Sequence, residues 1–196
     1  MSSKVVIINA FEPEDFFIAQ LSKAYDNALS EIGIAAELLF VNNMNFSFTP
    51  FPADFTYDTL ESDLQKSVDV IKRASTVAFF TSANKEKVVP IFTQFVSRLF
   101  HLKEGTINSD IWGNIHAYSK TLRIITVLDD PDTWKQFRNN RKASLVPIPK
   151  INFGLFGFGQ IYSRTFGYLK DGYVLNDYAL KSMKLMSTIA DKELGQ

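Results

Sequence analysis

Few side chains in this sequence could carry out chemistry without a cofactor. Cysteine is absent, which excludes disulfides, thiol nucleophiles, thiolate metal sites and iron–sulfur clusters. The two histidines, His101 and His116, lie too far apart in the chain to form a local metal motif. Any redox chemistry must therefore come from a bound cofactor.

Three aspartates that follow an apolar run are the densest group of possible metal ligands. Asp129, Asp130 and Asp132 could hold Mg²⁺ or a substrate cation, because carboxylate oxygens suit hard cations. Pro131 stands among them, and proline beside aspartate is typical of an ordinary turn. The turn is the favoured interpretation, and no metal site is predicted.

Two further stretches could meet a nucleotide. Residues 135–142 are basic and could pair with the extra phosphate of NADPH, but a solvated helix face is the favoured interpretation. Phe153–Gly159 contains glycines in the wrong order for a G-x-G-x-x-G motif and does not follow the first strand, so it is not a dinucleotide signature. The basic residues of the first stretch are Lys135, Arg138, Arg141 and Lys142.

Composition narrows the class of protein. The chain has 196 residues, of which 46% are hydrophobic, and this size suits one core and predicts a single domain over residues 1–196. The 21 basic residues balance 21 acidic ones, so the positive field that a nucleic-acid or anionic-membrane partner requires is missing. The first residues lack the layout of a signal peptide and no run is long enough to span a membrane, so a cytoplasmic location is expected.

Apolar periodicity predicts strands that alternate with helices. The continuous apolar run Lys4–Asn9 is typical of a strand buried on both faces. Apolar spacing from Phe17 to Ile32 lines one face of a helix that Gly33 ends, and Asp58 with Glu61 fits a capping box that starts another helix. Further predicted strands are Ala36–Val41, Thr76–Phe80, Thr121–Leu128 and Lys150–Phe156, and further predicted helices cover residues 88–100 and 177–192.

This alternation predicts a doubly wound α/β fold, because crossover connections build a parallel sheet with helices on both faces. Ligands of such sheets bind beyond the carboxyl ends of the strands, where the strand order reverses. Three segments follow those ends here: Ala10–Phe16, Thr81–Lys87 and Asp129–Thr133. The first leads into a helix whose N-terminal N–H groups could hold a phosphate without a charged side chain. Plain connections are an open alternative for all three.

An ordered series of motifs resembles the flavodoxin-like NAD(P)H:quinone reductases. Ile7–Phe17, which reads I-I-N-A-F-E-P-E-D-F-F, resembles that family's first strand and phosphate loop. Asp63–Phe80 is similar to its later helix and third strand, and Pro90–Phe100 is similar to the helix that follows. A looser match runs from Ser119-Lys120 into the fourth predicted strand. Together the matches cover most of the first 128 residues.

The resemblance implies a flavodoxin-like fold and a flavin-dependent enzyme. The implied sheet is parallel and five-stranded, in the order 2-1-3-4-5, with the first strand in its middle and helices on both faces. FMN or FAD at the strand ends would take a hydride from NAD(P)H and pass electrons to a quinone or a similar small-molecule acceptor. The positions expected to contact the flavin are Ala10, Phe11, Phe16, Phe17, Ser82, Ala83, Asn84, Lys85, Leu128 and Asp129.

Several of these positions depart from the family's pattern. Phe11 and Phe16 replace a histidine and a serine that donate to the phosphate, which predicts weak flavin binding through backbone N–H groups. Asn84-Lys85 replaces an aromatic pair, and the acidic segment after Leu128 replaces a Thr/Gly-rich loop. Acidic residues between positions 12 and 15 oppose a phosphate dianion, although stabilisation of the helix is their favoured interpretation. The alternative function is a binding or interaction protein that has lost the flavin and has no redox activity.

Aromatic content predicts a homodimer. The 18 phenylalanines exceed what one core of this size requires, so some rings are expected to line a pocket or a subunit contact. Pro90–Phe100 is apolar over more than one helical face, and only one face can pack on the sheet. Trp112 and Tyr118 lie in the loop with which the resembled family covers its flavin. Stacking on a ring and buried packing are equally favoured for these two side chains.

Overall fold

The chain folds around a parallel sheet whose inner strands are buried on both faces. Every residue of three of these strands is buried, as expected for apolar strands that helices cover on both sides. The computed structural model describes residues 5–12, 15–47, 57–83, 90–99, 102–103, 106–107, 120–128, 131–132, 134–135, 158–167 and 177–192. The strands are β1 (Val5–Ala10), β2 (Ala36–Phe40), β3 (Thr76–Ala83), β4 (Leu102–Lys103), β5 (Thr106–Ile107), β6 (Thr121–Leu128) and β7 (Gln160–Phe166), and the helices are α1 (Phe16–Glu31), α2 (Ser62–Arg73), α3 (Pro90–Leu99) and α4 (Asp177–Asp191).

The sheet confirms the predicted strand order. Its five strands follow one another as β2-β1-β3-β6-β7, and all of their pairings are parallel. This is the order 2-1-3-4-5 once the two-residue strands β4 and β5, which form a separate antiparallel hairpin, are left out. The first strand is internal, but β3 holds the central position. β1 is flanked by β2 and β3, so the order reverses beside it.

Helices cover the two faces of the sheet and form two cores. Side chains alternate along a strand, so Phe79 of β3 packs with α2 and α3, whereas Phe80 packs with α1 and α4. Both rings are fully buried, and burial of such a side chain stabilises a fold by roughly 1.5–3 kcal/mol. Among the described residues, no helix combines the length and hydrophobicity that crossing a bilayer would require.

The boundaries of most elements match the prediction, and one predicted cap is wrong. α1 ends before Gly33, which adopts a φ of 78° that an L side chain would strain. Asp58 does not start α2, because it lies in a single 3₁₀ turn and the residue before α2 is Glu61. The Glu61 carboxylate instead accepts a 2.9 Å hydrogen bond from the backbone N–H of Ser47 and pairs with Arg98 of α3. Glu61 therefore ties neighbouring segments together, and the two acidic residues do not form a capping box.

The fifth strand lies later in the chain than predicted. Lys150–Phe156 falls outside the described residues, and the strand that pairs with β6 is β7. β7 reads Q-I-Y-S-R-T-F, lies at an edge of the sheet and exposes its first five residues. Apolar runs identify strands that are covered on both faces, and an exposed edge strand does not need one.

Candidate functional site

Three strands end together at the edge of the sheet where the prediction places a ligand. Ala10 ends β1, Ala83 ends β3 and Leu128 ends β6, and all three side chains are buried. Ala83 is the direct neighbour of Leu128, whereas Ala10 pairs with Thr81, so β3 and β6 extend beyond β1. The predicted site residues Ser82 and Ala83 thus belong to the strand itself and not to the loop after it.

A side-chain hydrogen bond joins the end of β3 to the start of α1. Ser82 Oγ donates to Asp15 Oδ2 at 2.5 Å. Ser82 is buried, and Asp15 is the residue immediately before the helix. This bond holds the Asp15 carboxylate beside the carboxyl-terminal end of β3.

Asp15 does not cap α1 with its side chain. Its backbone has φ −75° and ψ 68°, its carboxylate makes no capping hydrogen bond, and its carbonyl accepts from the N–H of Ala19 at 3.2 Å. The first N–H groups of a helix have no acceptor within the helix and carry its positive partial charge. The interpretation of Asp15 as a helix-stabilising residue therefore misses its main contact, which is Ser82.

The two phenylalanines that start α1 have different surroundings. Phe16 is 49% exposed, so its ring lies at the surface of the helix N-terminus. Phe17 is buried, and its ring centroid lies 6.4 Å from that of Phe166 and 6.2 Å from that of Tyr178. Only the backbone of Phe17 is therefore suited to a ligand at this site.

The turn after β1 is held by the segment that follows β2. Asn42 Nδ2 donates a 2.6 Å hydrogen bond to the carbonyl oxygen of Phe11. The other side-chain atom of this amide, Oδ1, is buried and accepts no hydrogen bond among the described residues. A buried carbonyl oxygen of this kind favours a water or ligand donor beside it.

A cavity of about 460 Å³ adjoins this turn on the β2 side of α1. Its size falls in the range of small-molecule sites, roughly 300–1,000 Å³. Ser22 Oγ donates a buried 2.7 Å hydrogen bond to Asn9 Oδ1 at its wall, and burial raises the pKa of the Asp26 carboxyl above its usual range. The residues that line the cavity are Asn9, Phe11, Ala19, Ser22, Lys23, Asp26, Leu38, Phe40, Asn42 and Asn43.

The structure brings part of the predicted site together. Ala10, Phe11, Phe16 and Ser82 all lie at or beside the carboxyl edge of the sheet. Three predicted site residues fall outside the described residues, namely Asn84, Lys85 and Asp129. Of the three aspartates in the predicted turn, only Asp132 is described, and it is exposed. Within the part of the chain that is described, no cluster of three or more acidic or histidine side chains could hold a metal ion.

Three residues near this edge carry contacts that the sequence analysis did not assign. Residue type does not distinguish Asp15 from its acidic neighbours, and the only signal in the sequence is its place at the start of a helix that follows a strand. Asn42 is the second residue after the end of β2, in a region where polar residues meet ligands in such sheets. Trp134 packs so closely over Gly167 that a Cβ there would lie 2.2 Å from its ring, and no local pattern indicates this contact.

Comparison with known proteins shows the fold. No family model matches the sequence, and no curated protein matches it. An NAD(P)H:quinone oxidoreductase from Methanothermobacter marburgensis superposes with a TM-score of 0.69 at 14% identity, with 97% of this chain and 98% of that chain covered. An FMN-dependent NADH-azoreductase from Bacillus anthracis, solved in complex with FMN, superposes with a TM-score of 0.65 at 10% identity over 97% and 98% of the two chains. The chain therefore has a flavodoxin-like fold.

Proposed function

We propose that this protein is a flavin-dependent NAD(P)H oxidoreductase that binds FMN or FAD at the carboxyl ends of β1, β3 and β6 and reduces a quinone or a similar acceptor. The observation that carries the proposal is the convergence of these strand ends with the N-terminus of α1 at the point where strand order reverses. The similar solved structures are an NAD(P)H:quinone oxidoreductase and an FMN-dependent NADH-azoreductase, which supports the same cofactor class.

The backbone at this edge fits a flavin phosphate better than its side chains do. The first N–H groups of α1 can donate to phosphate oxygens, and Phe11 and Phe16 leave those N–H groups as the main donors. The buried Asn42 Oδ1 and the adjoining cavity of about 460 Å³ offer an acceptor and space for a ligand beside the same turn. The Asp15 carboxylate opposes a dianion at short range. We therefore expect these residues to bind a flavin phosphate only weakly.

The residues at this edge position and shield the cofactor rather than react. When bound, the flavin supplies the redox chemistry, accepting a hydride from NAD(P)H and passing electrons to the acceptor. Buried Ala10, Ala83 and Leu128 provide apolar strand ends that exclude water. Ser82 is held in one orientation by Asp15, and its hydroxyl proton points to that carboxylate rather than to a ligand. We further propose, from the sequence resemblance alone, that Asn84, Lys85 and Asp129 lie beside the flavin.

The direct test is an ultraviolet–visible spectrum of freshly purified protein, followed by titration of FMN and FAD into apo protein. The proposal expects a flavin spectrum or saturable flavin binding, and oxidation of NADH or NADPH when a quinone is present. A protein that binds neither flavin at concentrations up to about 1 mM, a standard free energy near −4 kcal/mol, has no functional flavin site.

A binding or interaction protein without redox activity is the second candidate, and the Asp15–Ser82 hydrogen bond favours it. That bond holds a carboxylate of the chain itself between the end of β3 and the start of α1. The same flavin titration separates the two candidates. In either case we propose one domain over residues 1–196 and a cytoplasmic location.

A further inference from the structure

A second cavity, of about 270 Å³, lies between β6, β7 and the end of α4. Arg123 at its wall precedes Leu128 by five positions along β6, which is about 16 Å at the usual rise of a strand. The cavity is thus well separated from the strand-end site. Its lining residues are Arg123, Ile124, Ile125, Tyr162, Ser163, Arg164, Ile189 and Lys192.

Sheet register brings two arginines to one face at this cavity. Arg123 is paired with Tyr162, and Ile125 is paired with Arg164, so the side chains of these four residues share the face that α1 and α4 cover. The Arg123 guanidinium carbon lies 4.9 Å from the centre of the Tyr162 ring, which holds this long side chain against the sheet.

The end of α4 adds a third cation above them. Ile189 and Lys192 are three residues apart, a spacing that places both on one side of a helix end, and both line the cavity. The negative end of the α4 dipole accounts for cations next to it. It does not account for Arg164, which lies on the edge strand.

Charge distribution indicates what the cavity binds. Three basic residues line it, and none of its lining residues in the described part of the chain is acidic, although the whole chain has a formal net charge of zero. An anion placed among these side chains is attracted by each of the positive charges. Arginine forks match the oxygens of phosphate, and the tyrosine and isoleucine side chains add apolar wall.

We propose that this cavity is a binding site for a phosphate group, free or carried by a small metabolite, and that it is separate from the flavin site. Its volume lies just below the roughly 300–1,000 Å³ typical of drug-sized pockets, which is too small for a whole dinucleotide. The site does not depend on the proposed redox function, because none of its residues lies at the carboxyl ends of the strands.

The test is titration of inorganic phosphate into the protein by calorimetry at constant ionic strength, with thermal shifts measured in parallel. We expect saturable binding that Arg164→Gln and Lys192→Gln each weaken about tenfold, because each removes a charged hydrogen-bond donor. Both side chains are exposed, so neither variant is expected to disturb the fold. Lys181→Gln, which removes the same charge from an exposed position on α4 outside the cavity, is the matched control and should bind as the unmodified protein does.

Three results would overturn the proposal. The first is an absence of saturable phosphate binding with a Kd below about 10 mM. The second is an equal loss of affinity in Lys181→Gln and Lys192→Gln, which would reflect net charge alone. The third is tighter binding of citrate than of inorganic phosphate at equal ionic strength, which would assign the cavity to carboxylates. None of these measurements uses flavin, so the outcome is independent of the redox assignment.

Discussion

Ser82 Oγ donates a 2.5 Å hydrogen bond to Asp15 Oδ2, across 67 positions of the chain. The bond ties the end of the central strand to the residue that precedes α1. It also fixes a negative charge beside the N–H groups that would hold a phosphate. The proposed flavin site therefore includes a carboxylate of its own chain at the start of α1.

Replacement of Asp15 by asparagine is expected to tighten FMN binding about tenfold and to leave riboflavin binding nearly unchanged. Unit charges about 4 Å apart at a protein surface interact by about 4 kcal/mol, and relief of a third of that repulsion corresponds to tenfold. Fluorescence titration of both ligands measures the difference. Glu31→Gln removes the same charge from the other end of α1 and should change neither affinity. Equal gains for FMN and riboflavin would show that Asp15 does not face the phosphate.

Replacement of Phe16 by serine is expected to strengthen FMN binding by about tenfold or more. The hydroxyl restores a donor at the helix start, and a hydrogen bond to a charged group contributes about 1.5–3 kcal/mol. Phe16 is exposed, so the fold should tolerate the change. Ile161→Ser is the control, because Ile161 is exposed to a similar degree but lies near the start of β7, away from the strand ends. No FMN binding by either variant or by the unmodified protein would favour the non-redox alternative.

Glu61 is expected to make stability depend on pH. Burial, the largest single influence, raises the pKa of its carboxyl, but the N–H groups of Ser47 and of Glu61 itself and the Arg98 guanidinium together lower it below the ordinary value of 4.5. A carboxyl whose pKa is lower in the folded state stabilises the protein above its unfolded pKa. That contribution is lost as the pH falls through the folded pKa.

Urea unfolding of Glu61→Gln should therefore show a loss of about 2 kcal/mol near pH 7, since Arg98 is buried and loses its partner carboxylate. The difference from the unmodified protein should shrink as the pH falls below 4.5 and through the lowered folded pKa, because the carboxyl then becomes protonated. Glu37→Gln breaks a pair with Arg73 whose side chains are 41% and 54% exposed, and should cost no more than about 0.5 kcal/mol. Equal losses in both variants would contradict the assigned role of Glu61.

Gly167→Ala is expected to destabilise the protein by about 1–3 kcal/mol through overpacking, because its Cβ would lie 2.2 Å from Cε2 of Trp134. Tryptophan fluorescence should shift as the ring moves. Trp134→Ala should remove most of the added cost in a double-mutant cycle. Gly33→Ala is the comparison: it has open space but a φ of 78°, so its cost should persist in the Trp134→Ala background. If Gly167→Ala were equally destabilising in the Trp134→Ala background, the cost would come from backbone strain and not from contact with the Trp134 ring.

Homodimer formation stays a prediction. The apolar residues Phe92, Phe95, Val96 and Leu99 of α3 are buried within this chain, which leaves only Pro90 and the half-buried Ile91 as apolar side chains that a partner could contact on this helix. Trp112 and Tyr118 lie outside the described residues. Light scattering over a wide concentration range should give twice the monomer mass of 22.2 kDa if these aromatics form a subunit contact. A mass that stays at the monomer value would rule the dimer out.

The sequence by itself determined the inner part of the fold. β1, β3 and β6 are mostly apolar because both faces of each strand are buried, and α1 and α4 show one apolar side because one side packs on the sheet. Burial of this kind selects apolar residues at regular positions along the chain, so it can be recognised from the sequence. The strand order followed from the resemblance, and the parallel pairings confirm it.

Only the tertiary structure decided the features that depend on partners distant in sequence. The edge strand β7 has no apolar run, because most of its side chains are exposed, so residue types alone do not locate it. Asp15 looked like a helix-start residue, yet its partner Ser82 is brought to it by the pairing of β1 with β3. Arg123 and Arg164 meet because register sets them on one face of adjacent strands. Contacts of this kind are fixed by how strands pair, which residue types alone do not record.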